Sequence, residues 1–277
     1  MSSTLLRPIL SFAIVLGVSF GLTRVHAQPP TETITKAKVQ EKAKEQVKEK
    51  AKAAPAARES ATVPAPRDTQ AYWMKLHESF LDRAKQGEVD LLFLGDSITQ
   101  GWGGSGKDVW RRHYEPRKTA NFGIGGDRTQ HVLWRIQNGE LEGISPKLAV
   151  LMIGTNNLGA NTNDEIADGV TAIVKDLRKQ KPSMKILLLG IFPRSEKATD
   201  PARARISAIN AKIESLADGK HVVYKDIGSV FLEKDGSLSK AIMPDFLHLS
   251  RQGYQRWADA IEPTIWSLLD EATASKN

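Results

Sequence analysis

The sequence predicts an α/β fold: a three-layer α/β/α sandwich in which helices cover both faces of a five-stranded parallel sheet. Three observations carry that expectation. From residue 70 onward, short apolar runs alternate with longer segments of helical period. The apolar runs are nearly continuous, as in strands buried on both faces, rather than alternating with polar residues. Polar, glycine-rich clusters follow the first three runs, where a parallel sheet presents its carboxyl edge.

Taken in order, Ala71–Gln86 places Tyr72, Leu76, Phe80 and Ala84 at helical spacing, and Gly87 ends it. Val89–Leu94, broken only by Asp90, is the first strand, and Thr119–Gly123 is the second. A helix is expected over Asp127–Asn138, a third strand over Leu148–Ile153, and a helix over Asp164–Lys179 with Pro182 beyond it. Lys185–Phe192 is the fourth strand. Pro201–Ala217 is a helix with proline in its first turn and Gly219 past its end. His221–Tyr224 leads a fifth strand, and Ser250 caps a last helix that runs through Leu269. Strands joined through helices are parallel, which gives the layered sandwich.

The residues before this body differ in composition. Met1–Ala27 reads as a secretory signal peptide: Arg7 in the n-region, an apolar stretch over Ile9–Leu22, and Val25-His26-Ala27 as a small-residue cleavage pattern. The stretch falls short of the roughly 20 apolar residues of a membrane span, so an uncleaved signal would be the only route to a membrane. Gln28–Thr69 is rich in Lys, Ala, Glu and Pro. Its middle, Thr33–Ala54, suits a solvated helix with Glu41/Lys44, Glu45/Lys48 and Glu49/Lys52 pairs. Ala53–Asp68, with Pro55, Pro64 and Pro66, reads as a linker, so the folded domain is expected over residues 70–277. Residues 1–70 hold 11 Lys/Arg against 6 Asp/Glu, and the remainder 28 against 26. The basic excess therefore sits in the extension, and the body lacks the basic stripe of a nucleic-acid binder. The chain has no cysteine, which excludes disulfides, thiolate metal sites and a cysteine nucleophile. Export would place it in the periplasm or outside the cell.

The polar clusters supply the parts of an acyl-transfer site. Gly95-Asp96-Ser97 ends the first strand and offers Ser97 as nucleophile. Asp245 and His248 lie three residues apart before the last helix, so Asp245 reaches one ring nitrogen while the other faces Ser97. Backbone N–H groups of Ser97 and Gly126 and the side-chain amide of Asn156 form the expected oxyanion hole. Gly126 has no side chain to keep substrate from the backbone. Trp102 is open to two readings, a pocket wall or a core residue. Arg128 could meet an anionic substrate or pair with Asp127. His77, His113, His131 and His221 lack metal-ligand spacing, and surface or packing roles are expected for them.

GDSITQGW, NFGIGGDRT, GTNN and DFLH resemble, in order, the four blocks of the GDSL or SGNH hydrolase family. Asn121–Lys147 and Asp245–Ser250 are especially similar to the catalytic subunits of platelet-activating-factor acetylhydrolase type I. The resemblance spans about Val89 to Leu269. It implies a flavodoxin-like fold with no cofactor and no metal, with Ser97, His248 and Asp245 as nucleophile, base and partner. It also implies Ser97, Gly126 and Asn156 as the oxyanion hole. Two positions depart from the family pattern: Ile98 replaces the usual leucine, and Asn157 stands where the third block usually ends in aspartate. The arrangement is not a G-x-S-x-G elbow, because position 99 is threonine.

The expected function is an exported serine esterase that removes short acyl groups, with acetyl first, from a small molecule or an acetylated carbohydrate. Ile98 and Leu247, beside nucleophile and base, would keep the acyl pocket short. The alternatives are a lysophospholipase or thioesterase, and a catalytically silent glycan-binding module. The oligomeric state is not legible in the sequence.

Overall fold

In the computed structural model, the described residues are 59–274. The expected signal peptide and the helix expected over Thr33–Ala54 lie outside them. Among the described residues the elements alternate. α1 (Ala71–Lys85) precedes β1 (Leu91–Gly95), which runs into the short α2 (Ser97–Gln100) and α3 (Lys107–His113). β2 (Thr119–Gly123), α4 (Thr129–Gln137), β3 (Leu148–Met152) and α5 (Asn163–Gln180) follow. β4 (Lys185–Leu189), α6 (Pro201–Glu214), β5 (Val222–Lys225) and α7 (Arg251–Ala274) complete the order.

The five strands form one parallel sheet in the order β2-β1-β3-β4-β5. Side chains alternate across it. Leu92, Leu94, Ala149, Leu151, Ile186 and Leu188 face a core closed by α1, α4, α5 and α6. Leu91, Phe93, Val150, Met152, Leu187 and Leu189 face the opposite core, closed by α3 and α7. With helices on both faces, no strand needs a polar side, and the near-continuous apolar runs follow. Going from β1 to β2 moves the chain one way along the sheet, and from β1 past β3 the other way. The right-handed crossover rule therefore sends α2 and α3 to one face and α4, α5 and α6 to the other. The direction changes between β1 and β3, the position at whose carboxyl edge open sheets of this kind take ligands.

Local chemistry sets the boundaries. Thr162 and Glu165 form a reciprocal capping box at the start of α5. Asp200 caps α6 with proline in its first turn. Ser250 Oγ accepts the Gly253 N–H at 3.2 Å, as expected of a cap for α7. Tyr254, Trp257, Ala258, Ile261, Ile265 and Leu268 are buried at the helical period of that last element.

The segment expected as the end of a linker behaves differently. Residues 59–68 carry no helix or strand yet lie along the body. Ala61 is buried, its carbonyl accepts the Thr129 hydroxyl at 2.8 Å, and Ala65 N–H donates to Gln130 O at 3.2 Å. Glu59 accepts from Gln130 Nε2 and Arg128, and its carbonyl from Asn161. Pro64 and Pro66 restrict this segment without adding donors that need partners. Composition gave no sign of this docking, because main-chain groups and single side chains make it.

Candidate active site

Ser97 opens α2 where β1 ends. Asp96 caps that turn through Oδ1, which accepts the Ile98 N–H at 2.9 Å. From α7, the Tyr254 hydroxyl donates to Ile98 O at 2.6 Å, so the last helix grips the serine turn from within the core. The loop before α7 brings Asp245 and His248 to the same place. Ser97 Oγ lies 2.8 Å from His248 Nε2, and His248 Nδ1 lies 2.6 Å from Asp245 Oδ2. Asp245 Oδ1 also accepts the main-chain N–H groups of His248 at 2.7 Å and Leu247 at 3.1 Å. One carboxylate thus holds both the ring and the backbone that carries it. The turn is tight enough that Phe246 sits at φ 58°, a left-handed conformation costly for an aromatic residue.

Burial pushes the Asp245 carboxyl up, but hydrogen bonds from the His248 ring and from the two N–H groups outweigh it and hold it below its ordinary value. An ionised carboxylate at Nδ1 keeps the proton on that nitrogen. The Nε2 lone pair of the neutral ring is then left to face the serine hydroxyl.

The other two clusters supply donors. After β2, Ile124–Asp127 form a turn closed by Asp127 N–H on Ile124 O at 3.2 Å, with Gly126 at φ 77°. After β3, Asn156 donates one side-chain hydrogen to Asp127 O at 2.9 Å, and its second N–H has no partner among the described residues. Ser97, Gly126 and Asn156 therefore follow three adjacent strands at the carboxyl edge.

Behind the turn lies a buried ionic network. Arg135, fully enclosed, donates to Asp127 Oδ2 at 2.9 Å, to Glu140, and to Phe122 O at 3.0 Å. Trp73 Nε1 donates to Asp127 Oδ1 at 2.6 Å, and His77 Nδ1 meets Glu140 at 2.9 Å. Burial opposes the Arg135 charge, but Glu140 and Asp127 outweigh that, so the guanidinium stays cationic. Asp127 is thereby pinned at both carboxylate oxygens, and with it the end of the Gly125-Gly126 turn.

This geometry agrees with the sequence comparison that decides kinship. Residues 93–256 match the GDSL-like lipase/acylhydrolase family. The chain belongs to that family. It is 41% identical over 205 residues to platelet-activating factor acetylhydrolase IB subunit alpha2 of Rattus norvegicus, covering 74% of this chain and 88% of the relative. It is 38% identical over 198 residues to the alpha1 subunit of Homo sapiens, covering 71% and 84%. Among solved structures, a GDSL-like lipase from Bacteroides thetaiotaomicron superposes with a TM-score of 0.54 at 22% identity, over 67% of this chain and 90% of that one. A catalytic mutant of an acetylxylan esterase from Geobacillus stearothermophilus gives 0.50 at 19%, over 62% and 91%. These two likenesses concern the fold. The chain is a GDSL-type ester hydrolase.

Within this GDSL family site, the residues expected as pocket walls divide. Trp102 has no exposed surface. Its ring is enclosed by Tyr254 at 4.6 Å, Trp257 at 4.9 Å and Tyr114 at 5.3 Å, so of its two readings the core one holds. Ile98 is likewise enclosed, because it points from the serine turn into the same aromatic core. Leu247 is half-buried. Arg128 pairs with Glu59 at 3.2 Å rather than with Asp127, which is held by Arg135, Trp73 and Arg67. Asn157 is buried and serves as donor as well as acceptor. Its Oδ1 accepts the Thr129 N–H, and its Nδ2 faces Thr129 Oγ1, Gln130 Oε1 and Asn161 Oδ1 at 3.0–3.2 Å.

Sequence reasoning missed the supports of the glycine turn. Gln100 Oε1 accepts the Gly125 N–H at 2.9 Å, and Arg67 donates to Gly125 O at 2.8 Å. A glutamine three residues past the serine faces back along a helix, which was a readable signal. Arg67 is distant in sequence and had none.

Proposed function

We propose that the protein is an exported serine esterase that removes short acyl groups, acetyl foremost, from an acetylated carbohydrate or similar alcohol. The observation that carries the catalytic part is the unbroken chain Ser97 Oγ–His248 Nε2, His248 Nδ1–Asp245. Ser97 Oγ attacks the acyl carbonyl while His248 Nε2 takes its proton. The carbonyl oxygen becomes an oxyanion facing the N–H groups of Ser97 and Gly126 and the Asn156 amide. The ester C–O bond breaks, the proton on His248 passes to the departing alcohol, and an acyl-serine remains. Water, deprotonated by His248, then releases the carboxylic acid and restores Ser97. Asp245 holds the ring and stabilises its cationic form throughout.

One feature supports a short acyl group. The mammalian relatives are named acetylhydrolases. The reading of export rests on Met1–Ala27, and a carbohydrate alcohol is inferred from export.

The test is hydrolysis of p-nitrophenyl acetate, butyrate and octanoate by the wild type, Ser97→Ala and Asp245→Asn. Acetate is expected to be turned over fastest, with Ser97→Ala silent and Asp245→Asn reduced by about 10⁴. Faster octanoate turnover would replace this reading with a lipid acyl hydrolase. Turnover surviving in Ser97→Ala would remove Ser97 as nucleophile. Mass analysis of the mature N-terminus in a secreting host checks cleavage after Ala27.

A further inference from the structure

We propose that Arg67, from the segment ahead of the first helix, is a positioning residue that aims the Gly126 N–H into the oxyanion hole. This rests on the reading above, in which Gly126 is an oxyanion donor. Residue 67 lies before the 93–256 segment matched by the family.

Gly125 C=O and Gly126 N–H belong to one planar, trans unit and point in opposite directions. Whatever holds the carbonyl therefore aims the N–H. The two glycines are the central residues of the Ile124–Asp127 turn, and Gly126 at φ 77° has the sign required at the third position of a type II turn. Types I and II differ by a flip of this central peptide, and two glycines offer little steric resistance to it. The choice falls to hydrogen bonds. Arg67 supplies one, its Nη1 donating to Gly125 O at 2.8 Å. Gln100 fixes the preceding N–H at 2.9 Å. Among the described residues, Gly126 N–H has no acceptor within the chain.

Arg67 is itself held in place. Its Nη2 donates to Gln70 Oε1 at 2.6 Å, and Nη1 lies 3.4 Å from Asp127 Oδ1. The docked segment 59–66 delivers it through Glu59, Ala61 and Ala65. Its guanidinium lies against Gly126: a Cβ built there would come within 3.1 Å of both Nη atoms. Charge adds to aim. A cation on Gly125 O polarises the shared peptide and strengthens its N–H as donor, and it sets positive potential beside the developing oxyanion. The domain expected to begin at residue 70 would leave this support out.

The experiment compares Arg67→Ala, Arg67→Lys and Arg67→Gln in the full chain, using p-nitrophenyl acetate and an arylboronic acid that forms a tetrahedral adduct on an active serine. Removing an oxyanion donor outright costs about 10²–10³ in kcat, so loosening one is expected to cost about 10–100-fold. In Arg67→Ala, kcat should fall by that factor with KM within twofold, and boronate affinity should fall in parallel. Arg67→Lys keeps charge but not the fork and should fall between, as should Arg67→Gln, which keeps one donor. The two conservative variants carry the same readout if Arg67→Ala does not fold. A kcat within twofold of wild type in all three overturns the proposal. So does a raised KM at unchanged kcat, which would make Arg67 a substrate contact. Ser97→Ala, run alongside, separates the two levels. Turnover surviving there would sink the reading of the site, whereas a silent Ser97→Ala with undiminished Arg67 variants sinks the role of Arg67 alone.

Discussion

Asn157→Asp restores the residue that GDSL relatives usually carry at this point, and the surroundings of Asn157 predict that it will harm this protein. The wild-type amide is fully enclosed and makes four hydrogen bonds. Aspartate keeps one of them, the Thr129 N–H on Oδ1. Its second oxygen then replaces Nδ2 and faces Thr129 Oγ1, Gln130 Oε1 and Asn161 Oδ1. The neighbouring amides cannot turn over freely, because Gln130 Nε2 is bonded to the Glu59 carboxylate at 2.9 Å and Asn161 Nδ2 to Glu59 O at 3.1 Å. Rotating the Thr129 hydroxyl would release Ala61 O. Each buried polar group left unsatisfied costs about 1–3 kcal/mol, and one or two remain after any local adjustment, for roughly 2–5 kcal/mol. In a domain of this size, each kcal/mol moves Tm by about 2–4 °C, so a fall of roughly 5–15 °C is expected. The loss should depend on pH. A buried carboxyl without a cationic partner has a raised folded-state pKa, and its protonated form donates one O–H to Gln130 or Asn161. The folded variant then holds more protons than the unfolded chain, so its stability relative to wild type drops as pH rises. Urea titrations of both proteins at pH 5 and pH 8 measure this. A difference under about 0.5 kcal/mol at both pH values, or a larger penalty at pH 5, would mean that Asn157 does not hold this network as a donor.

Two further perturbations test the same neighbourhood. Burial lifts the Asp96 carboxyl from its ordinary 3.8 to about 7. The folded wild type thus binds more protons than the unfolded chain between those values and loses stability as pH rises through them, by up to roughly 4 kcal/mol. Asp96→Asn should therefore gain on wild type between pH 4.5 and pH 8 in urea titrations. An equal difference at both pH values would contradict that. Gly169→Ala should destabilise, although alanine is the better helix former by about 1 kcal/mol. A Cβ there falls 2.7 Å from Ala61 O and 2.5 Å from Thr129 Oγ1, so the docked segment must lift. Loss of about 1–3 kcal/mol, together with lower kcat as Arg67 loosens, is expected. A more stable variant with full activity would rule out the tight docking.

Part of this protein is legible because local chemistry repeats along the chain. Apolar runs such as Leu148–Met152 and Lys185–Leu189 need no partner to be read as strands, and their alternation with helical segments leads to a parallel sheet. The carboxyl-edge rule then locates Ser97, Gly126 and Asn156 together before any distance is known. Asp245 and His248 were within reach of the same reasoning, because three residues suffice for the carboxylate to find the ring.

What only tertiary structure decided are the contacts whose two halves share no local signature. Position near the serine puts Ile98 beside the acyl pocket and leaves Trp102 with two readings, and side-chain direction sends both into the aromatic core. Arg135 gathers Asp127 and Glu140 across a helix and the loop beyond it, and no short period announces that network. Asn157 fits because donors and acceptors from α4 and the Asn161 loop converge on it, and the docked segment holds those partners in turn. Arg67 reaches Gly125 across 58 positions of chain. The layers, the site edge and the meeting of Ser97, His248 and Asp245 are legible in the sequence, since these depend on periodicity and short spacing. Which side chains are buried, and what holds the Gly125-Gly126 turn, depend on long-range packing and on main-chain hydrogen bonds that carry no residue identity.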